Sequence, residues 1–472
     1  MERRFCVIGL DGVGPRNLEV VLSSTPLSGL SRILARGFRW GFQSVPPYTP
    51  IAWTSLFTGV NPGVHGVFGF NVVEWRDGRA WVRLATSCDV AYPRVFEALA
   101  MRGLRSVVVN VPLTYPPGGL VGSHRMVVVS DWASPRVFIH PGGLMGRYGG
   151  SLAPPPHDVV AGSTSMLGDR EYVRVVEEYL ESRMDVYLDL LETGDYSLYV
   201  VVFSETDWLM HRFPGLVDGS SVGVAYRVYS MIDRFTRRAL DYCDAVALVS
   251  DHGFRVSKYL VSLNAILARE GLLRSKIYLN PGKLRNIAGL LRGRPSLRRI
   301  RRVIPLSVRV DYSRSRAFMV EASSWGIYAA DPQALEATRR ILGSLEYVKG
   351  LLDPRRLYRG PQAWRAPQLL AVPRGDTSYW TYPATKPVTE EPQGEHDTTA
   401  LLALYGDNIE PAEEAKASIH SLTPTILAYL GQPTPKHAEA KPLTGEATQP
   451  PSQADYLKPY RTAKKLTCRQ TP

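Results

Sequence analysis

The chain has 472 residues, is 44% hydrophobic and 21% charged, and carries a formal net charge of +12. That length exceeds one simple core and calls for a large domain with insertions or for two domains, while the composition excludes a disordered or fibrous chain. The positive charge favours anionic partners, among them phosphorylated small molecules, nucleic acid and anionic membrane surfaces, without choosing among them.

Residues 1–4 lead straight into an apolar run, which leaves no room for a signal peptide. No window approaches the length needed to span a bilayer, so a cytoplasmic enzyme is expected. Phe5–Leu10 reads as the first strand and is closed by Asp11; 15–23 and 30–35 read as helices. Further strands are expected over 105–111, 126–130, 197–203 and 244–250, with long amphipathic helices over 172–191 and 222–242. Apolar strands alternating with helices spell an α/β fold, a doubly wound, mainly parallel sheet with helices on both faces.

Between 260 and 332 the texture changes. Lys283, Arg285, Arg292, Arg294, Arg298, Arg299, Arg301 and Arg302 crowd one stretch before strand-like runs resume at 308–310 and 317–320. This reads as a basic insertion that caps the site, within a catalytic domain formed by 1–259 and 333–443. The segment 444–472 lacks periodicity and reads as a loosely attached, flexible tail. Cys6, Cys88, Cys243 and Cys468 are widely spaced with no CxxC pair, which indicates neither a thiolate metal site nor a disulfide scaffold.

In open α/β sheets ligands bind beyond the carboxyl ends of the strands, and that is where metal-binding residue types recur. Asp11 closes the first strand, and Asp251 with His252 closes the 244–250 run. Asp207 and His211 follow the 197–203 strand at i, i+4 spacing, which puts both on one face of a helical turn. His396 precedes a strand expected over 400–405. Taken singly, each reads as a turn residue or an ordinary exposed pair; together they suit two divalent ions with open positions for substrate. Thr49 is expected at a helix N-cap with Pro50 at the first helical position. Alone that is a cap; beside a metal its hydroxyl becomes an activated nucleophile.

Gly9-Leu10-Asp11-Gly12, the run from Pro46 to Phe70, Asp207 with His211, Ser250-Asp251-His252-Gly253 and Gly394-Glu395-His396 resemble the alkaline phosphatase superfamily, specifically the type I phosphodiesterase/nucleotide pyrophosphatase family in its prokaryotic form. The likeness extends up to about Leu443. It implies an alkaline-phosphatase-like fold and a hydrolase acting on phosphoric ester bonds. By this resemblance Thr49 is the nucleophile and, with Asp11, Asp251 and His252, holds one ion; Asp207, His211 and His396 hold the other. The implied ions are zinc, with manganese as the alternative, and the implied intermediate is a phospho-threonine. One departure is local: Pro50 follows Thr49 directly, where the family places proline two positions on.

The expected substrate is a small anionic phosphoester of nucleotide type. Asn71 is a candidate donor to a phosphate oxygen, and Tyr48 and Trp208 are candidate stacking partners for a base. Absence of an arginine in Thr49-Pro50-Ile51-Ala52-Trp53 disfavours a sulfatase, and apolar, aromatic surroundings favour a diester or pyrophosphate over a dianionic monoester. The alternatives are a phosphomonoesterase or phosphomutase on the same scaffold, or a non-catalytic protein that binds anions or nucleic acid. Nothing in the sequence specifies an oligomeric state.

Overall fold

The computed structural model describes residues 3–152, 159, 167–279, 306–383, 386–407, 409–410, 416–444 and 452–469. Its centre is an eight-stranded sheet in the order Phe38–Gln43, Thr399–Gly406, Ala245–Val249, Phe5–Leu10, Leu198–Phe203, Ser106–Val109, Met126–Val129 and Ile139–His140. The five strands from Ala245–Val249 to Met126–Val129 run parallel, and the flanking strands are antiparallel. The structure is thus an α/β fold with a mainly parallel sheet and helices on both faces, as expected.

The central strands read as unbroken apolar runs because both of their faces are buried. Phe5 and Val7 enter one core with Leu198, Val200, Val202 and Ala247. Cys6, Ile8 and Leu10 enter the other with Tyr199, Val201, Phe203 and Leu248. Helices Pro15–Ser24, Ser28–Arg36, Asp169–Thr193 and Tyr226–Tyr242 cover this second face. Helices Thr49–Thr58, Val95–Met101 and Leu422–Tyr429 cover the first. Flanking strands such as Phe38–Gln43, where only Phe42 is buried, carry too little apolar signal to be read from sequence.

A second lobe is inserted between the ligand-bearing segments. Strand Gly253–Ser262 leaves the main sheet and pairs with Thr377–Trp380 and Val388–Asp397. Beyond it lies a four-stranded sheet in the order Ala317–Met319, Gly326–Ala329, Leu369–Pro373, Val348–Leu352. The boundary expected at 332 falls on no break: Asp331 caps helix Pro332–Gly343, whose Leu342 shares a core with Val261, Ile327 and Leu370. Residues 283–302, the arginine-rich stretch, lie outside the described residues.

Two expectations are corrected. The C-terminal segment is not loosely attached over its described part, because helix Leu457–Arg469 buries Tyr460 and Lys464. Lys464 Nζ donates to the carbonyls of Ser87 and Gly119 at 2.8 and 2.7 Å. The cysteines are paired: Cys6 with Cys243 and Cys88 with Cys468. Their Cα atoms lie 6.0 and 5.8 Å apart, within disulfide reach, across sequence separations of 237 and 380 that spacing rules cannot register.

Candidate active site

Three parallel strands and one strand of the second lobe deliver the ligand residues to one place. Asp11 follows Phe5–Leu10, Asp251 and His252 follow Ala245–Val249, and Asp207 and His211 ride on helix Glu205–Arg212, which starts directly after Leu198–Phe203. His396 lies inside Val388–Asp397, opposite Phe254 of Gly253–Ser262. The sequence placed it ahead of the next strand, because a charged, half-exposed strand lacks the apolar alternation that marks one. Gly394 makes the approach possible: a Cβ there would overlap the carbonyl oxygen of Met210 and lie 2.8 Å from its carbon.

Six of the seven residues expected to hold metal fall into two clusters, and the seventh, Thr49, opens the helix after the loop that His396 bonds. Asp11, Asp251 and His252 form one cluster, and Asp207, His211 and His396 the other, the ligand atoms of each trio all within 4.8 Å of one another. His252 Nε2 is 3.6 Å from Asp11 Oδ1 and 3.3 Å from Asp251 Oδ2. Asp207 Oδ1 lies 3.5 Å from His211 Nε2 and 3.3 Å from His396 Nε2. The clusters touch through the stacked rings of His252 and His396, whose centroids are 3.8 Å apart.

The polar bookkeeping fits bound cations. Asp11 Oδ1, Asp207 Oδ1, Asp251 Oδ2 and His252 Nε2 are buried with no hydrogen-bond partner among the described residues, an arrangement that costs a fold dearly unless something else satisfies them. Each imidazole meanwhile donates Nδ1–H to a carbonyl: His211 to Gly394 at 3.2 Å, His252 to Gly253 at 3.0 Å, His396 to Pro47 at 2.7 Å. That orients each ring so that its Nε2 faces inward, the support metal-bound histidines use; His211 Nε2 and His396 Nε2 lie 2.9 Å apart. Carboxylate oxygens with imidazole nitrogens suit zinc or manganese.

Electrostatics tell the same story. Burial, then the charges of Asp251 and Asp207, push the Asp11 carboxyl well above its usual range. Burial also pushes Asp251 up to about 7. Burial, with His396 beside it, holds His252 well below the ordinary imidazole value. Asp207 differs: burial opposes its charge, but His211 and His396 outweigh it and bring its carboxyl down to about 2. Without cations the trio with two carboxylates is frustrated.

Thr49 opens helix Thr49–Thr58. The N-cap is Tyr48, so Thr49 and Pro50 each stand one position further in than expected; Pro50 sits in the first turn, where its missing N–H costs nothing. Thr49 is buried, and Trp53, one turn on and on the same helix face, packs at the Gly9 backbone two residues before Asp11. The carbonyl of Pro47 receives His396, which ties the loop before Thr49 to the second cluster.

Among the residues considered for substrate, Trp208 is not a free stacking face. It is 3% exposed and wedged between Trp132 and Tyr179, so it belongs to the core. Tyr48 and Asn71 are half-buried and meet on one partner that sequence reasoning missed, Glu321 of the second lobe. At a separation of 250 residues no local pattern could announce it.

The profile of the family described as type I phosphodiesterase/nucleotide pyrophosphatase matches residues 5–398. The chain belongs to this family. As a type I phosphodiesterase/nucleotide pyrophosphatase family member it is a hydrolase acting on phosphoric ester bonds, within the alkaline phosphatase superfamily. Comparison with curated protein sequences gives no match. Among solved structures, phosphonoacetate hydrolase from Sinorhizobium meliloti shares 16% identity at a TM-score of 0.58, over 89% of this chain and 94% of that one. The alkaline phosphatase PafA shares 14% at a TM-score of 0.59, over 94% of this chain and 100% of its own. Murine ectonucleotide pyrophosphatase/phosphodiesterase 5 shares 12% at 0.53, over 94% and 98%. At these identities the likeness speaks for the fold alone.

Proposed function

We propose that this family member is a metal-dependent phosphodiesterase or nucleotide pyrophosphatase that cleaves a small anionic phosphoester of nucleotide type through a covalent intermediate on Thr49. The observation that carries the reading is the pair of ligand clusters, joined through His252 and His396, with four buried polar atoms that no group among the described residues satisfies and with His396 bonded to the loop before Thr49. Asp11, Asp251, His252 and the Thr49 hydroxyl would hold one divalent ion, and Asp207, His211 and His396 the other, zinc or manganese in each case. Bound there, the ions would supply positive charge for the phosphoryl oxygens and lower the pKa of the threonine hydroxyl.

Thr49 Oγ1 attacks phosphorus, a new P–O bond forms, and the ester bond to the leaving alcohol or phosphate breaks. Water then cleaves the Thr49–phosphorus ester and restores the hydroxyl. Helix Thr49–Thr58 directs its positive end toward the developing anion. Asn71 donates to a phosphoryl oxygen and Tyr48 lines the entrance. Among the structural neighbours, an inactive threonine-to-alanine variant of the murine phosphodiesterase was solved with AMP, a ligand of the proposed nucleotide type.

Among the described residues no helix is long and apolar enough to cross a membrane. We propose the cytoplasm as the compartment, and the two cysteine pairs are the observation that opposes it, since reducing cytosols disfavour disulfides outside hyperthermophiles. Thiol labelling of protein taken directly from its native cells decides between them.

The function is tested by hydrolysis of bis-p-nitrophenyl phosphate against p-nitrophenyl phosphate, after chelation and after zinc or manganese is restored. Metal-dependent preference for the diester, lost in T49A, is expected. Preference for the monoester would move the protein to a phosphatase or mutase role.

A further inference from the structure

Glu321 stands two residues beyond strand Ala317–Met319 in the second lobe, yet its carboxylate reaches the nucleophile loop. Oε1 accepts from Asn71 Nδ2 at 2.8 Å. Tyr48 and the backbone N–H groups of Phe70 and Asn71 lie on the same carboxyl and favour its charged form against burial. Gly69 leaves the space for it: any Cβ there would overlap Oε2 and lie 2.9 Å from the carboxyl carbon. The carboxylate therefore lies on bare backbone, surrounded by donors.

The amide of Asn71 turns its nitrogen toward the Glu321 carboxyl, which burial pushes up to about 7. One Nδ2 hydrogen is committed and the second remains for a ligand. Tyr48 is held from its other end as well, since its carbonyl accepts from Ile51 and Ala52 at 3.0 and 2.9 Å and so starts the helix that carries Thr49. Its ring rests edge-on against Phe70 at 5.8 Å. One side chain of the lobe thus lies against both Asn71 and Tyr48, the residue that caps the helix opened by Thr49.

We propose that Glu321 is a positioning residue for phosphoryl transfer, setting the donor direction of Asn71 and the placement of Tyr48. This rests on Thr49 being the nucleophile. A residue that merely fastened the lobe would affect stability and leave turnover per folded molecule unchanged. Glu321→Gln keeps the volume but brings an NH2 group against a set of donors, which disturbs the orientation it should set.

The test uses the full zinc-loaded chain and bis-p-nitrophenyl phosphate, comparing wild type, E321Q, E321D, N71A and the E321Q/N71A double variant, with T49A as control. E321Q is expected to lose about 10- to 100-fold in kcat/KM, the range a misplacement of about 1 Å produces. The double variant should be no worse than N71A alone, because the two substitutions break one unit. E321D, which keeps a shorter acceptor, should recover part of the loss and covers the case in which E321Q does not fold. Wild-type kcat/KM in E321Q or E321D, or losses that multiply in the double variant, would overturn the inference while T49A inactivity left the function standing. Diester turnover that persists in T49A would refute the function and the inference together.

Discussion

Asp11→Asn should have opposite effects on stability with and without metal. In the chelated protein Asp11 Oδ1 has no partner, is 3.6 Å from an equally unpartnered His252 Nε2, and shares its burial with Asp251. An amide in place of that carboxyl cannot ionise and can donate to His252 Nε2 or Asp251 Oδ2. Satisfying such a buried acceptor is worth about 1–3 kcal/mol, so chelated D11N should melt a few degrees above chelated wild type. With zinc the order reverses. Wild type gains about 2.7 kcal/mol at a free ion concentration 100-fold above Kd, and D11N, having lost an anionic ligand, gains far less. Scanning calorimetry of both proteins in EDTA and in buffered zinc measures the crossing. A D11N variant destabilised equally in both conditions would show that Asp11 is satisfied by the protein itself, and the metal-site reasoning would fail.

Two further outcomes are expected. Gly394→Ala should cost about 1–3 kcal/mol by overpacking against Met210 and, because the Gly394 carbonyl orients His211, should weaken zinc binding as read by competition with a chromophoric chelator; unchanged affinity would contradict it. Lys464 is held down to about 8, against an ordinary 10.5, by burial in the C-terminal helix. The folded state therefore binds fewer protons than the unfolded chain between these values, so this group's contribution to stability improves as pH rises from about 8 to 10.5. The melting temperature of K464M relative to wild type should accordingly fall across that window, and parallel profiles would refute the assignment.

Asp11, Asp207, His211, Asp251 and His252 were legible because each follows an apolar strand buried on both faces, where periodicity is strongest and ligand sites gather. His396 was found as a residue but not as a strand member, since its strand earns its place by pairing with Gly253–Ser262 rather than by apolar content. Trp208 lies beside Asp207 in sequence, yet the helix turns it into the core between Trp132 and Tyr179. The lobe boundary was misplaced because helix Pro332–Gly343 has the same amphipathic texture as helices of the main domain, and only contact with Val261 and Leu370 assigns it. Glu321, the cysteine pairs and the docked C-terminal helix depend on contacts between residues hundreds of positions apart, which no local pattern encodes.

Trapping the intermediate tests the central claim most directly. Zinc-loaded enzyme turning over bis-p-nitrophenyl phosphate is quenched in acid and digested, and the peptide containing Thr49 is sequenced by mass spectrometry. The account predicts a p-nitrophenyl phosphoryl ester on Thr49 that forms only with metal present. A phosphoryl adduct on another residue, or steady diester turnover by T49A, would contradict it.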